Sequence, residues 1–195
     1  MSPTQRDYLR RLPARHYQGR AFMHWSMTIE KRKTGWLTSS LHEKLREILV
    51  HATFRYGMCC PLYCCMPDHI HMLWVGIRER CDQRNAARFV REQLNIQLVR
   101  LGVELQKQAY DHVLGDEDRQ ETTFATVAEY IARDPERAQL VPEGSFRDYP
   151  YTGCLVPGYP ALSPWQDGFW DLFWRLYVRL RESDLFANEP VQAGN

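Results

Sequence analysis

Apolar and polar positions along the chain alternate in two periods, and the switches between them mark out the elements. Residues 21–29, Ala-Phe-Met-His-Trp-Ser-Met-Thr-Ile, read as a first strand. A helix follows from Ser39 or Ser40 to about Phe54, with Leu41, Leu45, Ile48 and Leu49 along one side. Ser40 and Glu43 have the spacing of a capping box, and Gly57 breaks the helix. Residues 58–66 form a second strand, Pro67-Asp68 a turn, and residues 69–77 a third strand, which completes a hairpin. Residues 82–101 are helical, with Phe89, Leu94, Leu98 and Leu101 inward, and Gly102 ends them. Residues 106–114 read as a short fourth strand, stopped by Gly115. The helix after it closes near Arg133, because a residue before proline, here Asp134, is pushed out of the helical region. Residues 141–164 read as a loop rich in Pro, Gly and Tyr, and Trp165 opens a last helix that runs to Glu182.

The order strand, helix, strand, strand, helix, strand predicts an α+β fold on the ferredoxin-like split βαβ plan. Its sheet is expected to be four-stranded and antiparallel, with helices on one face. An added helix follows the fourth strand, and an aromatic helix lies near the C-terminus.

Within this frame the turn and the start of the third strand read Asp68-His69-Ile70-His71-Met72. Side chains alternate along a strand, so His69 and His71 share one face, roughly 7 Å apart along the backbone, while Ile70 and Met72 point into a core. Two neutral imidazoles on one face make half a site for a divalent cation. The plainer reading is two surface histidines on a half-exposed strand.

In the helix before Pro135, Phe124, Val127, Ala128 and Ile131 form the buried stripe. Tyr130 falls at the edge of that stripe, and Asp134 lies one turn farther on the same flank. A helix packed across the sheet would bring this phenol and carboxylate beside the two imidazoles. Alternatively, Tyr130 is a half-buried aromatic whose hydroxyl meets water, and Asp134 a turn former before proline.

Charge adds a local signal and no global one. Lys and Arg number 25 against 24 Asp and Glu, a formal net charge of +1, so the chain as a whole carries no nucleic-acid signature. The distribution is uneven, however. Residues 1–20 form a basic arm with Arg6, Arg10, Arg11, Arg15 and Arg20 against Asp7, and Lys31-Arg32-Lys33 follows. Arg80, Arg84, Arg88 and Arg91 share one face of the second helix, where they suit either a phosphate backbone or plain solvent. Acids gather at Asp116, Glu117, Asp118 and Glu121. No apolar run approaches a membrane span, so the expectation is a soluble, cytoplasmic protein. The run Cys59-Cys60-Pro61-Leu62-Tyr63-Cys64-Cys65 lacks zinc-ribbon spacing and reads as reduced, buried thiols, with a structural zinc as the alternative.

Met66-Pro67-Asp68-His69-Ile70-His71, Ala109-Tyr110-Asp111-His112-Val113, and Tyr130-Ile131-Ala132-Arg133-Asp134-Pro135 with Ala138-Gln139-Leu140-Val141 together resemble the REP-associated tyrosine transposases. These are a branch of the single-tyrosine HUH transposases of insertion sequences, and the resemblance covers roughly residues 18–155. It implies a transposase-like catalytic domain over residues 21–140, between the arm of residues 1–20 and a C-terminal loop, helix and tail over 141–195. It also implies that His69 and His71 are metal ligands and that Tyr130, on a catalytic helix, is the nucleophile. The family usually carries an amide four residues after the tyrosine; here Asp134 stands there, an oxygen donor that could complete a Mg²⁺ or Mn²⁺ site. The implied activity is metal-dependent cleavage and transfer of single-stranded or hairpin DNA through a covalent 5′-phosphotyrosine. Such a protein would act in the bacterial cytoplasm, nucleoid-associated, as a monomer or homodimer. Arg10, Arg11, Arg15, Arg84, Arg88 and Arg91 are the candidate DNA contacts.

Competing readings are a domesticated relative that grips DNA with weak or no cleavage, and a replication or conjugation nickase. The nickase is disfavoured by the short chain and the lack of a helicase-like segment. The final helix places Trp165, Phe169, Trp170, Phe173, Trp174 and Tyr177 in an aromatic stripe interleaved with Arg175, Arg179 and Arg181. Such a stripe reads first as a core-packing face and second as a platform for stacking bases.

Overall fold

The computed structural model describes residues 12–114 and 121–183. Arg10 and Arg11, with most of the basic arm, and the acids at 116–118 lie outside the described residues. Five strands form one sheet: β1 (Phe22–Thr28), β2 (Met58–Met66), β3 (His69–Gly76), β4 (Tyr110–Val113) and β5 (Thr152–Leu155). Their spatial order is β4-β1-β3-β2-β5, and every neighbouring pair is antiparallel. The first four strands are thus the ferredoxin-like sheet expected from the element order, with β3 in the middle.

The fifth strand is a correction to the four-stranded expectation. It comes from the segment read as a loop and pairs along the outer edge of β2. An open edge of unpaired N–H and C=O groups accepts even a four-residue partner. Pro61, which has no N–H to donate, coincides with a break in the register of β2 against both its neighbours.

Helices cover both faces of the sheet, not one. On one face, α1 (Ser39–Tyr56) and α2 (Gln83–Leu98) bury Leu45, Leu49, Val90, Leu94 and Leu98 against Trp25, Ile70, Met72 and Trp74. On the other, α3 (Glu121–Ala132) and α5 (Phe169–Glu182) bury Phe124, Ala128, Ile131, Phe173 and Tyr177 against Phe22, Leu73 and Val75. The sheet needs both layers because β3 buries both sets of its alternating side chains. The aromatic stripe of α5 therefore packs into the core, as its helical spacing suggested, with Trp170 and Trp174 half-buried at its margin.

Element ends differ in detail from the sequence pattern. Thr38, not Ser39 or Ser40, caps α1, its Oγ1 accepting from the Leu41 N–H at 3.2 Å. The last helix starts at Phe169 rather than Trp165, and Leu101, expected inward, is exposed because α2 gives way to a tight 3-10 turn at Val99. The helix carrying Tyr130 ends at Ala132, and after Arg133 the chain turns into a one-turn helix α4 (Asp134–Arg137) with Pro135 near its start. Gly76 is required where it stands: a Cβ there would lie 1.9 Å from the Gly19 carbonyl oxygen. No helix among the described residues is long and apolar enough to cross a membrane.

Candidate metal centre and tyrosine

His69 and His71 lie at the start of β3, where alternation puts them on the α3/α5 face beyond the buried Leu73 and Val75. The break at Arg133 brings Asp134 across to them. The Asp134 Oδ2 lies 3.4 Å from the His69 Nε2 and 3.1 Å from the His71 Nε2, and the two Nε2 atoms are 2.9 Å apart. Donors each about 2.1 Å from one divalent cation, at tetrahedral to octahedral angles, stand roughly 3.0–3.4 Å from one another. The three atoms have that spacing, so these residues could hold a metal ion; among the described residues they are the group with such geometry.

Both imidazoles are oriented from behind. The His69 Nδ1 is 2.6 Å from the Asp68 Oδ1, and Asp68 in turn accepts from the Arg32 guanidinium at 2.9 Å. Arg32 makes this contact from a strained turn, in which it and Lys31 have φ of 53° and 57°. The His71 Nδ1 is 2.9 Å from the Nε2 of His24 on β1. With both Nδ1 atoms engaged, both Nε2 lone pairs can serve a cation.

The carboxylate and the imidazoles of the group are shifted in different directions. Burial opposes ionisation of Asp134, but His69, His71 and the Arg137 guanidinium outweigh it and hold the carboxyl well below the usual range. Burial works against a charge on His69 as well, yet Asp134 and Asp68 raise its pKa above the ordinary value. Burial lowers the pKa of His71, and burial beside His71 and His112 pushes His24 down to about 3, which leaves the His24 ring neutral.

Tyr130 stands on the last turn of α3, 64% exposed, at the edge of the buried stripe. The Arg137 guanidinium lies over its ring at 3.9 Å. The same guanidinium donates to the Tyr130 carbonyl oxygen at 2.7 Å and to the Asp134 Oδ1 at 2.6 Å. Arg133 is bound up elsewhere, with Glu129 and Glu136, and Glu136 accepts from the Phe146 N–H. These bonds fix the α3–α4 corner.

Of the remaining candidates, Arg15, Arg84 and Arg88 are exposed. Arg84 and Arg88 lie on α2, across the sheet from the histidines. Arg84 covers the Tyr17 ring at 5.4 Å, and Arg88 donates to Asn85. Arg91 is half-buried and donates to the Lys107 carbonyl oxygen, which ties α2 to the approach of β4. All six cysteines are buried and free, and burial pushes the thiols of Cys64, Cys81 and Cys154 up to about 12. They pack as small hydrophobes, Cys59 and Cys64 toward one core and Cys60 and Cys65 toward the other.

Sequence reasoning missed Asp68, His24 and Arg137 as site residues. Asp68 sits beside a candidate ligand and had a local signal. His24 shares the face of His71 only through the β1–β3 register, in which His71 pairs with Ser26 and His24 with Leu73. Arg137 also had a local signal, seven residues after Tyr130 and three after Asp134, both same-face helical spacings.

No protein-family model and no curated protein matches the chain. Among solved structures, that of a REP-associated tyrosine transposase bound to a REP hairpin is similar over 74% of this chain and 81% of that one, with a TM-score of 0.60; at 16% identity, what this chain shares with that transposase is its fold.

Proposed function

We propose that the protein is a metal-dependent transposase of the HUH type, cleaving and rejoining single-stranded or hairpin DNA through Tyr130. The observation that carries this reading is the convergence of the His69 Nε2, His71 Nε2 and Asp134 Oδ2 within 3.4 Å, beside a helix that presents an exposed tyrosine. The likeness of fold to a transposase bound to a REP hairpin supports DNA as the substrate.

His69, His71 and Asp134 would hold Mg²⁺ or Mn²⁺, which when bound draws charge from the phosphate oxygens. The Tyr130 oxygen attacks phosphorus, forming the P–O(Tyr) bond as the P–O3′ bond breaks. The phenolic proton is lost, and the departing 3′-oxygen gains one. The product is a 5′-phosphotyrosine and a free 3′-hydroxyl. The ester link conserves the phosphodiester bond energy, so a second 3′-hydroxyl reverses the step and joins a new strand without ATP. Exposure of Tyr130 suits attack on a phosphate carried by a macromolecule.

Incubation with a hairpin oligonucleotide and Mn²⁺, followed by denaturing electrophoresis, tests the reading. The expected result is a covalent protein–DNA adduct that is absent in Tyr130→Phe, a variant that still folds and binds metal and DNA. DNA binding by the native chain with no adduct under any divalent cation would favour a DNA-binding role without cleavage.

A further inference from the structure

We infer that Arg137 is a positioning residue for both halves of this site: it restricts Asp134 to one metal-facing oxygen and pins the ring of Tyr130. The inference rests on the reading of Tyr130 and the His69/His71/Asp134 group given above.

A planar guanidinium can donate through two N–H groups in its plane while its face covers a ring, which an ammonium cannot do. Arg137 uses all three options. One Nη donates to the Asp134 Oδ1 at 2.6 Å, the other to the Tyr130 carbonyl oxygen at 2.7 Å, and the Cζ lies 3.9 Å from the Tyr130 ring centroid.

The first consequence concerns the metal ligand. A carboxylate can give a cation one oxygen or both, and with Oδ1 held by Arg137 only Oδ2 faces the imidazoles, at 3.4 and 3.1 Å. The second concerns the nucleophile. An aromatic side chain 64% exposed at a helix end samples several rotamers, and the guanidinium face over the ring selects one. Arg137 thus couples the tyrosine to the metal ligand through one side chain. The coupling has a cost: it holds a positive charge close to where a divalent cation would sit.

That cost gives the test its signature. In the full chain, Arg137→Gln removes the repulsion and frees Oδ1. Mn²⁺ binding, measured by titration calorimetry, is expected to tighten about tenfold, the order set by a +1 and a +2 charge roughly 6 Å apart in a water-like medium. Adduct formation at saturating Mn²⁺ and hairpin DNA is expected to slow about 10- to 100-fold, the scale of a nucleophile displaced by about 1 Å. Arg137→Lys keeps the charge and removes the fork: Mn²⁺ affinity should stay near the native value while the adduct rate still falls.

Tighter metal binding with slower chemistry is a combination that partial unfolding does not produce. Weaker Mn²⁺ binding in Arg137→Gln together with loss of the adduct would overturn the inference, as would a defect confined to DNA affinity with a native rate at saturation. If Arg137→Gln does not fold, Arg137→Lys decides, and a native adduct rate there is the overturning result. If the native chain itself forms no adduct, the Tyr130 reading fails separately. The Mn²⁺ arm then judges the hold on Asp134, with unchanged affinity in Arg137→Gln counting against it.

Discussion

Replacing Asp68 asks how much the group behind a candidate metal ligand, His69, contributes. The carboxylate holds the His69 Nδ1 at 2.6 Å and lies across the imidazole ring from the Nε2 that faces His71 and Asp134. That puts it about 6 Å from a cation bound there. A −1 and a +2 charge at about 6 Å interact by about 1.4 kcal/mol at a dielectric of about 80, and by about 2.8 kcal/mol at about 40. Those figures correspond to roughly 10- and 100-fold in affinity, the range known for groups that orient metal-binding histidines. Asp68→Asn keeps an oxygen that can accept from Nδ1–H and removes only the charge, whereas Asp68→Ala removes both. Calorimetric titration with Mn²⁺ should therefore show weaker binding in Asp68→Asn by about tenfold or more, and in Asp68→Ala by up to about 100-fold. Arg32→Ala serves as the control. Its side chain is 64% exposed, and an exposed ion pair contributes about 0–1 kcal/mol, so it should change affinity only slightly. Both Asp68 variants should keep the native melting temperature within a few degrees, because the side chain lies in a partly exposed turn. Native Mn²⁺ affinity in a folded Asp68→Ala would refute the reasoning that His69 is a ligand oriented by Asp68.

His71→Ala should fold, because the residue lies at the open end of its strand, and should lose metal-dependent cleavage; unchanged adduct formation would remove the histidines from the mechanism. Neutralising Arg84 and Arg88 together should flatten the plot of log affinity for single-stranded DNA against log salt by about 0.7 for each phosphate no longer neutralised, and an unchanged slope would make this stripe a solvated face. Acid should destabilise the fold through His42. Burial, then Arg46, lowers its pKa to about 4, so the folded state favours the neutral ring, and the contribution present above about 6.5 is lost as pH falls toward 4. Melting temperatures recorded from pH 7.5 to 4.5 should thus fall less steeply in His42→Gln than in the native chain, and equal slopes would contradict this.

Local periodicity carried much of this molecule. Alternation in residues 58–66 and 69–76 is a property of each strand, so the hairpin and the shared face of His69 and His71 were legible without a structure. So was the placement of Tyr130 at the edge of a stripe made by Phe124, Ala128 and Ile131, since 3.6-residue geometry needs no partner to define it. Pairing across the chain was not legible. Thr152–Leu155 is too short and too rich in small residues to announce a strand, and it becomes one because β2 leaves an edge open. The second helical layer depends on the same kind of event, as an aromatic stripe on α5 says that a face is buried but not which face of the sheet buries it. At the site, the sequence named the three groups that could hold a metal and the tyrosine, while tertiary structure decided most of their surroundings. The Arg137–Asp134 pair is local, i,i+3 within α4, but His24 reaches His71 only as a diagonal neighbour set by strand register, and Asp134 reaches the imidazoles only because the turn at Arg133 carries it to the start of β3. Contacts of that kind depend on where separate elements dock, and no local pattern of residues encodes that docking.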